Sequence, residues 1–319
     1  MDTRIATVIT GLGGVASASR LQRTGVAPRE ITRALRTGQL VRVRRNALVD
    51  GALWHAALPW ERHALRARAV AATLPADSAL VLSHHSALAV WGVPLHDVDD
   101  RVHLTATDGR RGRTDARVSF HRPVPPPFVT RHEGIAVVRP AAACVQVAAL
   151  AGGEAGLVSA DGALRARRCT TEELHAALTA LGAARSSRVP AQVVRLADPR
   201  IESAAESRAR WVFGLAGIPQ PTPQVEIRDE GGRFVARVDF LLEEYGVVIE
   251  VDGMAKYEDV RDLRAEKVRE DRLRELGHEV VRLTWAELAD PVTVQRKVLA
   301  AVSRSRARAR VTASGPPGT

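Results

Sequence analysis

The run Val247-Val248-Ile249-Glu250-Val251-Asp252 constrains the fold more than any other stretch of this chain. Its branched apolar residues read as a buried strand, yet Glu250 sits in the middle, where an unpaired carboxylate is costly. The preceding segment Phe234–Leu242 alternates like a strand and carries Asp239. Between them, Glu243-Glu244-Tyr245-Gly246 reads as a turn. If those four residues close a hairpin, Asp239 lies opposite Glu250, and Glu250 and Asp252 share a face because the strand period is two. Three carboxylates then crowd one patch, which repels itself unless a cation sits there or the carboxyls stay protonated. Mg²⁺, a hard ion that takes one or two carboxylates plus waters, resolves the conflict and would polarise a phosphodiester and activate a water. The competing reading is a charged sheet surface with no metal.

Around this hairpin, residues 201–303 read helix, strand, strand, helix, strand, helix. Ser203-Ala204-Ala205-Glu206 has the form of a capping box, which by itself accounts for Glu206. Glu266, Arg269, Glu270 and Asp271 are spaced for charge pairs on a solvated helix face, with Arg269 and Arg272 as secondary candidates for phosphate contact.

Charge is uneven along the 319 residues. Lys+Arg is 46 against Asp+Glu 36, a net +10. Residues 1–50 carry nine Arg against three acids, and residues 301–319 carry four Arg and no acid, so the 250 residues between them balance to zero. Basic charge concentrated at the N-terminus favours a polyanionic partner. Two cysteines, Cys144 and Cys169, are too few for a disulfide scaffold or a Cys-rich zinc site. The first residues lead into no signal-like apolar stretch, and no run of about 18 apolar residues exists. The expectation is a cytoplasmic protein without a membrane span.

The basic N-terminus has an internal pattern. In Pro28–Thr37, Ile31, Ala34 and Leu35 share one helical face while Arg29, Thr32, Arg33 and Arg36 share another. Pro28 suits the first helical position and Gly38 the residue past the end. Val15–Arg23 reads as a second short helix, joined through Thr24-Gly25-Val26. Leu40–Arg44 alternates as a strand and turns at Arg45-Asn46 into Ala47-Leu48-Val49. Helix, turn, helix and basic hairpin outline a winged helix-turn-helix, with the polar stripe in a major groove and Arg42, Arg44 and Arg45 on phosphates. A solvated basic face is the plainer alternative. In the middle region, Ser83 followed by His84-His85 reads as a helix cap with a packed histidine, since adjacent histidines point to different helix faces.

Two resemblances attach to these residues. Gly13-Gly14, Thr24-Gly25-Val26, Gly38-Gln39-Leu40 and Arg42-Val43-Arg44-Arg45 resemble the N-terminal winged helix of AbiEi-type antitoxins, although Asn46 and Leu48 stand where that family commonly has Gly and an aromatic. The family's partner is a nucleotidyltransferase toxin, and none is legible in this chain. From Ser203 to Leu288 the chain resembles the PD-(D/E)xK nucleases, nearest the very-short-patch-repair endonucleases and a related uncharacterised bacterial family. The matching pieces include Ser203-Ala204-Ala205-Glu206-Ser207, Gly217-Ile218-Pro219, Val238-Asp239-Phe240, Glu250-Val251-Asp252-Gly253 and Thr284-Trp285. The resemblance implies Asp239 as central metal ligand with Glu250 and Asp252 beside it, Mg²⁺ as the ion, and Glu206 reaching in from the first helix. Asp252 stands where the superfamily usually has Lys. Lys256 is then either the replacement cation or an ordinary surface residue, and Tyr257 either packs beside the substrate or caps the hairpin.

The expected architecture is α+β and multidomain: a winged helix-turn-helix at 1–50, a mixed α/β region at 51–195, a linker around 185–200, a restriction-endonuclease-like domain at 201–303, and a disordered basic tail at 304–319. The expected activity is Mg²⁺-dependent DNA cleavage positioned by the winged helix. The alternative is an antitoxin-like DNA-binding regulator whose nuclease fold is inactive.

Overall fold

The computed structural model describes residues 3–109, 112, 114–181, 188–252 and 260–313. They divide into two compact units, Met1–Ala197 and Asp198–Thr319, each mixing helices with its own sheets, so the chain is an α+β multidomain protein. Among the described residues no helix is long and apolar enough to cross a membrane.

The first unit begins α1 (Thr3–Gly11), β1 (Val15–Ser17), α2 (Ala18–Arg23), α3 (Pro28–Arg36), β2 (Leu40–Arg44) and β3 (Ala47–Asp50). The helix expected over Val15–Arg23 is corrected at its start, because Val15–Ser17 pairs antiparallel with β3. Ser17 ends that strand and caps α2, its hydroxyl accepting from the Arg20 N–H at 3.2 Å. The sheet order is β1-β3-β2. On α3, Ile31 and Ala34 bury against Leu21, Leu40 and Leu48. The Glu30 carboxylate accepts from the Ala27 N–H at 2.6 Å and fixes the start of that helix. Asn46 closes the β2–β3 turn at φ +67°, a conformation Asn tolerates, and its Oδ1 accepts from the Ser19 N–H at 3.0 Å.

Next come α4 (Gly51–Ala56), α5 (Pro59–Ala71), β4 (Leu80–Leu82), α6 (His84–Trp91), β5 (Val102–Ala106), β6 (Val118–Phe120), β7 (Val129–His132) and β8 (Ile135–Val138). The five strands form one sheet in the order β6-β5-β4-β8-β7. The unit closes with α7 (Pro140–Ala151), α8 (Gly153–Arg165), α9 (Thr171–Leu181) and α10 (Arg188–Leu196). The boundary expected after residue 50 does not separate distinct bodies: α5 packs on β1 and β3 within one unit. The linker expected around 185–200 is corrected over 188–196, which form α10 with Val193 and Val194 buried. Pro190 falls in the first turn of that helix, where its missing N–H breaks no helical bond.

The second unit runs α11 (Ala204–Leu215), β9 (Thr222–Arg228), β10 (Phe234–Leu242), β11 (Val247–Asp252), α12 (Val260–Glu275), β12 (Glu279–Thr284) and α13 (Pro291–Ala313). It has one strand more than expected. The added strand is β9, which carries Pro223 and lies at the edge of the sheet, pairing with β10 among the described residues, where proline is tolerated. The hairpin has the expected register, with Phe240 opposite Ile249 and Leu242 opposite Val247. Its turn is a tight Glu243–Tyr245 loop ended by Gly246 at φ +60°. The fourth strand, β12, lies parallel to β11, an arrangement that needs the α12 crossover. Phe213, Phe240, Ile249, Leu283 and Val298 fill the core on one face of the sheet. Val238, Leu241, Val248 and Leu273 of α12 form a second buried cluster.

The disordered tail is also corrected: α13 continues through Ala313. The cause is Glu279, a buried carboxylate at the start of β12 that needs counter-charge. Arg304 pairs with it at 2.8 Å, and Arg308, one helical turn on, pairs with it as well. Arg306 lies over the Tyr245 ring at 4.8 Å. Removing residues 304–319 is therefore expected to lower the stability of the second unit by about 1–2 kcal/mol in urea unfolding, since it strips a buried acid of its partners. An unchanged midpoint would return that segment to a passive extension.

Candidate functional site

In the second unit the sheet register builds a polar row across the strands. Asp239 sits between bridge pairs that place Gln224 of β9 opposite it on one side. Continuation of the hairpin register places Glu250 opposite it on the other side, and Glu250 is in turn paired with Arg282 of β12. Asp239 Oδ2 accepts from the Val251 N–H at 2.8 Å, and its carboxyl is in hydrogen-bond reach of Glu250. Glu250 is buried and is answered by Arg269 of α12, whose guanidinium lies 3.2 Å from Oε1. Arg269 also donates to the Arg237 carbonyl at 3.2 Å, so it is held in place from two directions. The expected solvated pairing along α12 is thus corrected for Arg269, which turns inward because a buried acid lies beneath it. Glu270 instead pairs with Arg274 and, across to β12, with Arg282 at 3.3 Å.

Glu206 joins this group by a different route. Ser203 caps α11 as expected, its hydroxyl accepting from the Glu206 N–H at 3.1 Å. The return bond of the capping box goes elsewhere: Glu206 Oε2 accepts from the Glu202 N–H at 3.1 Å and from Gln224 Nε2 at 2.8 Å. Gln224 holds that contact at φ +56°, a left-handed conformation that costs a non-glycine residue about 1 kcal/mol or more. Glu206 is buried and its charge acts on Asp239.

Burial, and then the Glu206 charge, push the Asp239 carboxyl up to about 6, against the opposing pull of the Val251 N–H and of Arg269. Asp252 is half-buried on the same strand face as Glu250. Among the described residues, no three of these carboxylates bring donor atoms within 4.8 Å of one another. The structure therefore brings Asp239 and Glu250 into contact and lets the Glu206 charge act on Asp239, but it does not gather three carboxylates at one point, and the expected three-carboxylate set of Asp239, Glu250 and Asp252 is corrected to that pair. Lys256 and Tyr257 lie outside the described residues.

In the first unit, Arg29, Thr32, Arg33 and Arg36 are all exposed on the outer face of α3, and Arg42 and Arg45 are exposed on the hairpin. None of these five arginines makes an ion pair among the described residues. Two expected contacts are altered. Arg44 pairs with Asp115 at 2.8 Å, so its charge is already answered within the unit. The Thr32 hydroxyl donates back to the Pro28 carbonyl at 3.0 Å, leaving only its lone pairs for a ligand.

The middle region holds what the sequence reading missed. His63, His84, His85, His103 and His121, five of the ten histidines, gather beside β4 and β5. Ser83 precedes α6 but gives no side-chain cap; its hydroxyl sits 3.0 Å from His84 Nδ1 instead. His103 Nδ1 lies 2.8 Å from His121 Nε2, and His103 Nε2 lies 2.9 Å from Asp99 Oδ1. Burial, reinforced by neighbouring rings, depresses His63 to about 3 and His85 and His121 to about 4, and carries His84 well below its ordinary value. Burial lowers His103 too, with Asp99 pulling the other way. The five rings are thus predominantly neutral near pH 7. No spacing signal in the sequence announces this group, because its members come from five separate backbone positions on four elements or their ends.

The uncharacterized proteins Rv2248 and MT2308, from two strains of Mycobacterium tuberculosis, are each 28% identical to this chain over 217 residues, 67% of this chain and 76% of theirs. The crystal structure of RV2827C protein from the same species matches with a TM-score of 0.36 and 17% identity, over 72% of this chain and 89% of its own. No family model matches the chain.

The raised Asp239 has a definite pH signature. A carboxyl whose folded value lies above its unfolded one stabilises the fold fully below the unfolded value, and that contribution disappears as pH rises through the folded value. Asp239→Asn, which keeps the acceptor for Val251, is therefore expected to stabilise the protein by about 1–2 kcal/mol at pH 7.5 without divalent ions. The gain should shrink as pH falls below about 6 and vanish near pH 3, below the unfolded value, where the carboxyl is protonated in both folded and unfolded chains. Paired urea titrations at the two pH values check this, and a gain independent of pH would remove the buried-charge account.

Proposed function

We propose that this chain is a DNA-binding protein whose second unit is a Mg²⁺-dependent phosphodiesterase. The observation that carries the reading is the contact between Asp239 and Glu250 on the two central strands, with Glu206 of α11 near enough for its charge to act on Asp239. Two hard oxygen donors that resist being charged together suit an ion that takes one or two carboxylates and keeps its waters. When bound, Mg²⁺ would polarise a phosphodiester and lower the pKa of a water.

The protein's own groups do the rest. Asp239 and Glu250 present the donors, and Val251 fixes the Asp239 carboxyl through its N–H. Gln224 and Glu202 hold Glu206 at the edge of the centre. Arg269 holds Glu250 and supplies a positive charge beside it, the role in which a cation favours a developing negative charge on phosphate. With Lys256 outside the described residues, Arg269 is the cation this reading assigns to the site. Residues Arg29, Arg33, Arg36, Arg42 and Arg45 supply the cationic surface for duplex backbone, as expected of a basic helix followed by a basic hairpin. The resemblances to AbiEi-type winged helices and to very-short-patch-repair-like nucleases support the same pairing of a reader with a cleaving module.

A second reading has its own support. Arg269 already neutralises Glu250 at 3.2 Å, which is how an inactive nuclease fold would satisfy its buried acid. On that reading the chain is an antitoxin-like regulator that binds DNA without cutting it.

Incubating the purified chain with plasmid and Mg²⁺ separates them. Mg²⁺-dependent nicking that falls at least 100-fold in Asp239→Ala and in Glu250→Gln is expected. Absence of cleavage alongside undiminished DNA binding selects the regulator. For the reader, Arg33→Ala combined with Arg36→Ala is expected to weaken duplex binding and to reduce the salt slope by about 2, one unit per lost phosphate contact. An unchanged slope in fluorescence-anisotropy titrations would remove α3 from DNA recognition.

A further inference from the structure

The histidine group of the first unit can do something that neither DNA binding nor the carboxylate centre requires. One candidate donor atom from each of His84, His103 and His121 lies within 4.8 Å of the other two, the one such group of three among the described residues. We propose that these three imidazoles form a site for a divalent transition ion of the zinc class, with Asp99 fixing His103 from outside and one coordination position left open.

Each feature of the arrangement has a local cause. His103 on β5 and His121 just past β6 project from the same face of the sheet, because His103 pairs with Ser119 and His121 lies two residues on. The Asp99 carboxylate, at 2.9 Å, accepts the Nε2 proton of His103 and so turns the lone pair of Nδ1 toward His121 Nε2. A carboxylate behind a coordinating imidazole fixes its tautomer and raises its basicity. His84 lies against His121, with ring centroids 3.7 Å apart and planes tilted by 30°, and its Nδ1 is held by Ser83. Its backbone stands at φ +49° and its N–H donates to Gln146 Oε1 at 3.2 Å. A non-glycine residue in that conformation persists only where the surroundings over-determine it, and here the strain aims a ring at two others.

The donor chemistry selects the ion. Neutral imidazoles suit Zn²⁺ and its neighbours in the transition series and are poor ligands for Mg²⁺, which takes oxygen. Zn–N bonds of about 2.0–2.1 Å in tetrahedral geometry set the donors about 3.4 Å apart, so the 2.8 Å pair opens slightly and the wider pairs close by about an ångström. Three protein ligands leave a fourth position for water, the pattern of an open zinc site and not of a closed structural one. His121 is half-buried and Asp99 exposed, which gives an ion a way in. A purely structural network would explain hydrogen bonds such as that between His63 Nε2 and the Ser86 hydroxyl at 3.0 Å. It also accounts for the 2.8 Å contact of His103 with His121, but not for a third imidazole nitrogen held within 4.8 Å of that pair behind an outer carboxylate.

The test uses tag-free full-length protein, stripped by chelator and titrated with Zn²⁺ by calorimetry and with Co²⁺ by visible absorption. One equivalent of Zn²⁺ is expected, together with the ligand-field bands of low-coordinate Co²⁺. His121→Gln, at the half-exposed edge, should lose at least about 100-fold in affinity, and Asp99→Asn about 10–100-fold. His55→Gln and His175→Gln, on exposed surface, should bind as the parent does. Should His121→Gln fail to fold by circular dichroism, the exposed Asp99→Asn variant decides alone. Parent protein that binds no Zn²⁺, Asp99→Asn that binds as tightly as the parent, or equal losses in the surface variants would each overturn the site.

Discussion

A carboxylate in the middle of a buried strand has to be answered, and the second unit is arranged around the answers to Glu250. Its immediate neighbours on β11, Ile249 and Val251, are buried apolar residues and Glu250 is itself buried, so solvent serves it poorly. The structure meets the charge from two sides: Arg269 from α12 and a hydrogen-bonding carboxyl on Asp239. Each answer places a demand on another element. Arg269 needs α12 to cross this face, and that crossover is what allows β12 to lie parallel to β11. The same logic recurs at the other end of β12, where Glu279 draws two arginines and extends α13 well past its expected end.

The hairpin was legible from the chain because every step in reading it is local. A period-two pattern, a four-residue turn and a second apolar run fix a register, and one residue of slip would turn Glu250 onto the opposite face. The winged-helix outline was legible for the same reason, with proline and glycine marking the ends of α3. What the chain hid depends on tertiary partners. Arg269 carries no mark that separates it from Arg272 or Arg274, and only the fold shows which of them stands over an acid. The β9 strand carries a proline that only an edge position forgives, so its pairing is settled by the sheet and not by local pattern. The part Gln224 plays follows from a backbone conformation unusual for glutamine, which no local pattern announces.

Glu206 shows why a local motif can be both correct and incomplete. The capping signature does start α11, through the hydroxyl of Ser203. The glutamate's own bonds then go to Glu202 and Gln224, so a residue placed by helix-cap chemistry is held by a residue of β9 that lies opposite Asp239. Cap and site are alternatives only on paper. A helix start is a place where side chains are fixed at low entropic cost, which makes it an economical position from which to deliver a charged group to a neighbouring strand.

The two clusters differ in a way that bears on the ions each could accept. At the carboxylate centre the donors are hard oxygens whose mutual repulsion is partly relieved by a resident guanidinium, so an added Mg²⁺ has to compete with Arg269 for Glu250. At the histidine group the donors carry no net charge to be relieved, so an incoming ion displaces no counter-charge, only the proton shared in the 2.8 Å contact between His103 Nδ1 and His121 Nε2. Binding at the first therefore depends on how far Arg269 can be displaced, and at the second on how nearly the rings already stand in place. The strained backbone of His84 and the outer carboxylate of Asp99 bear on that second quantity, because both reduce the reorganisation left for the ion to drive.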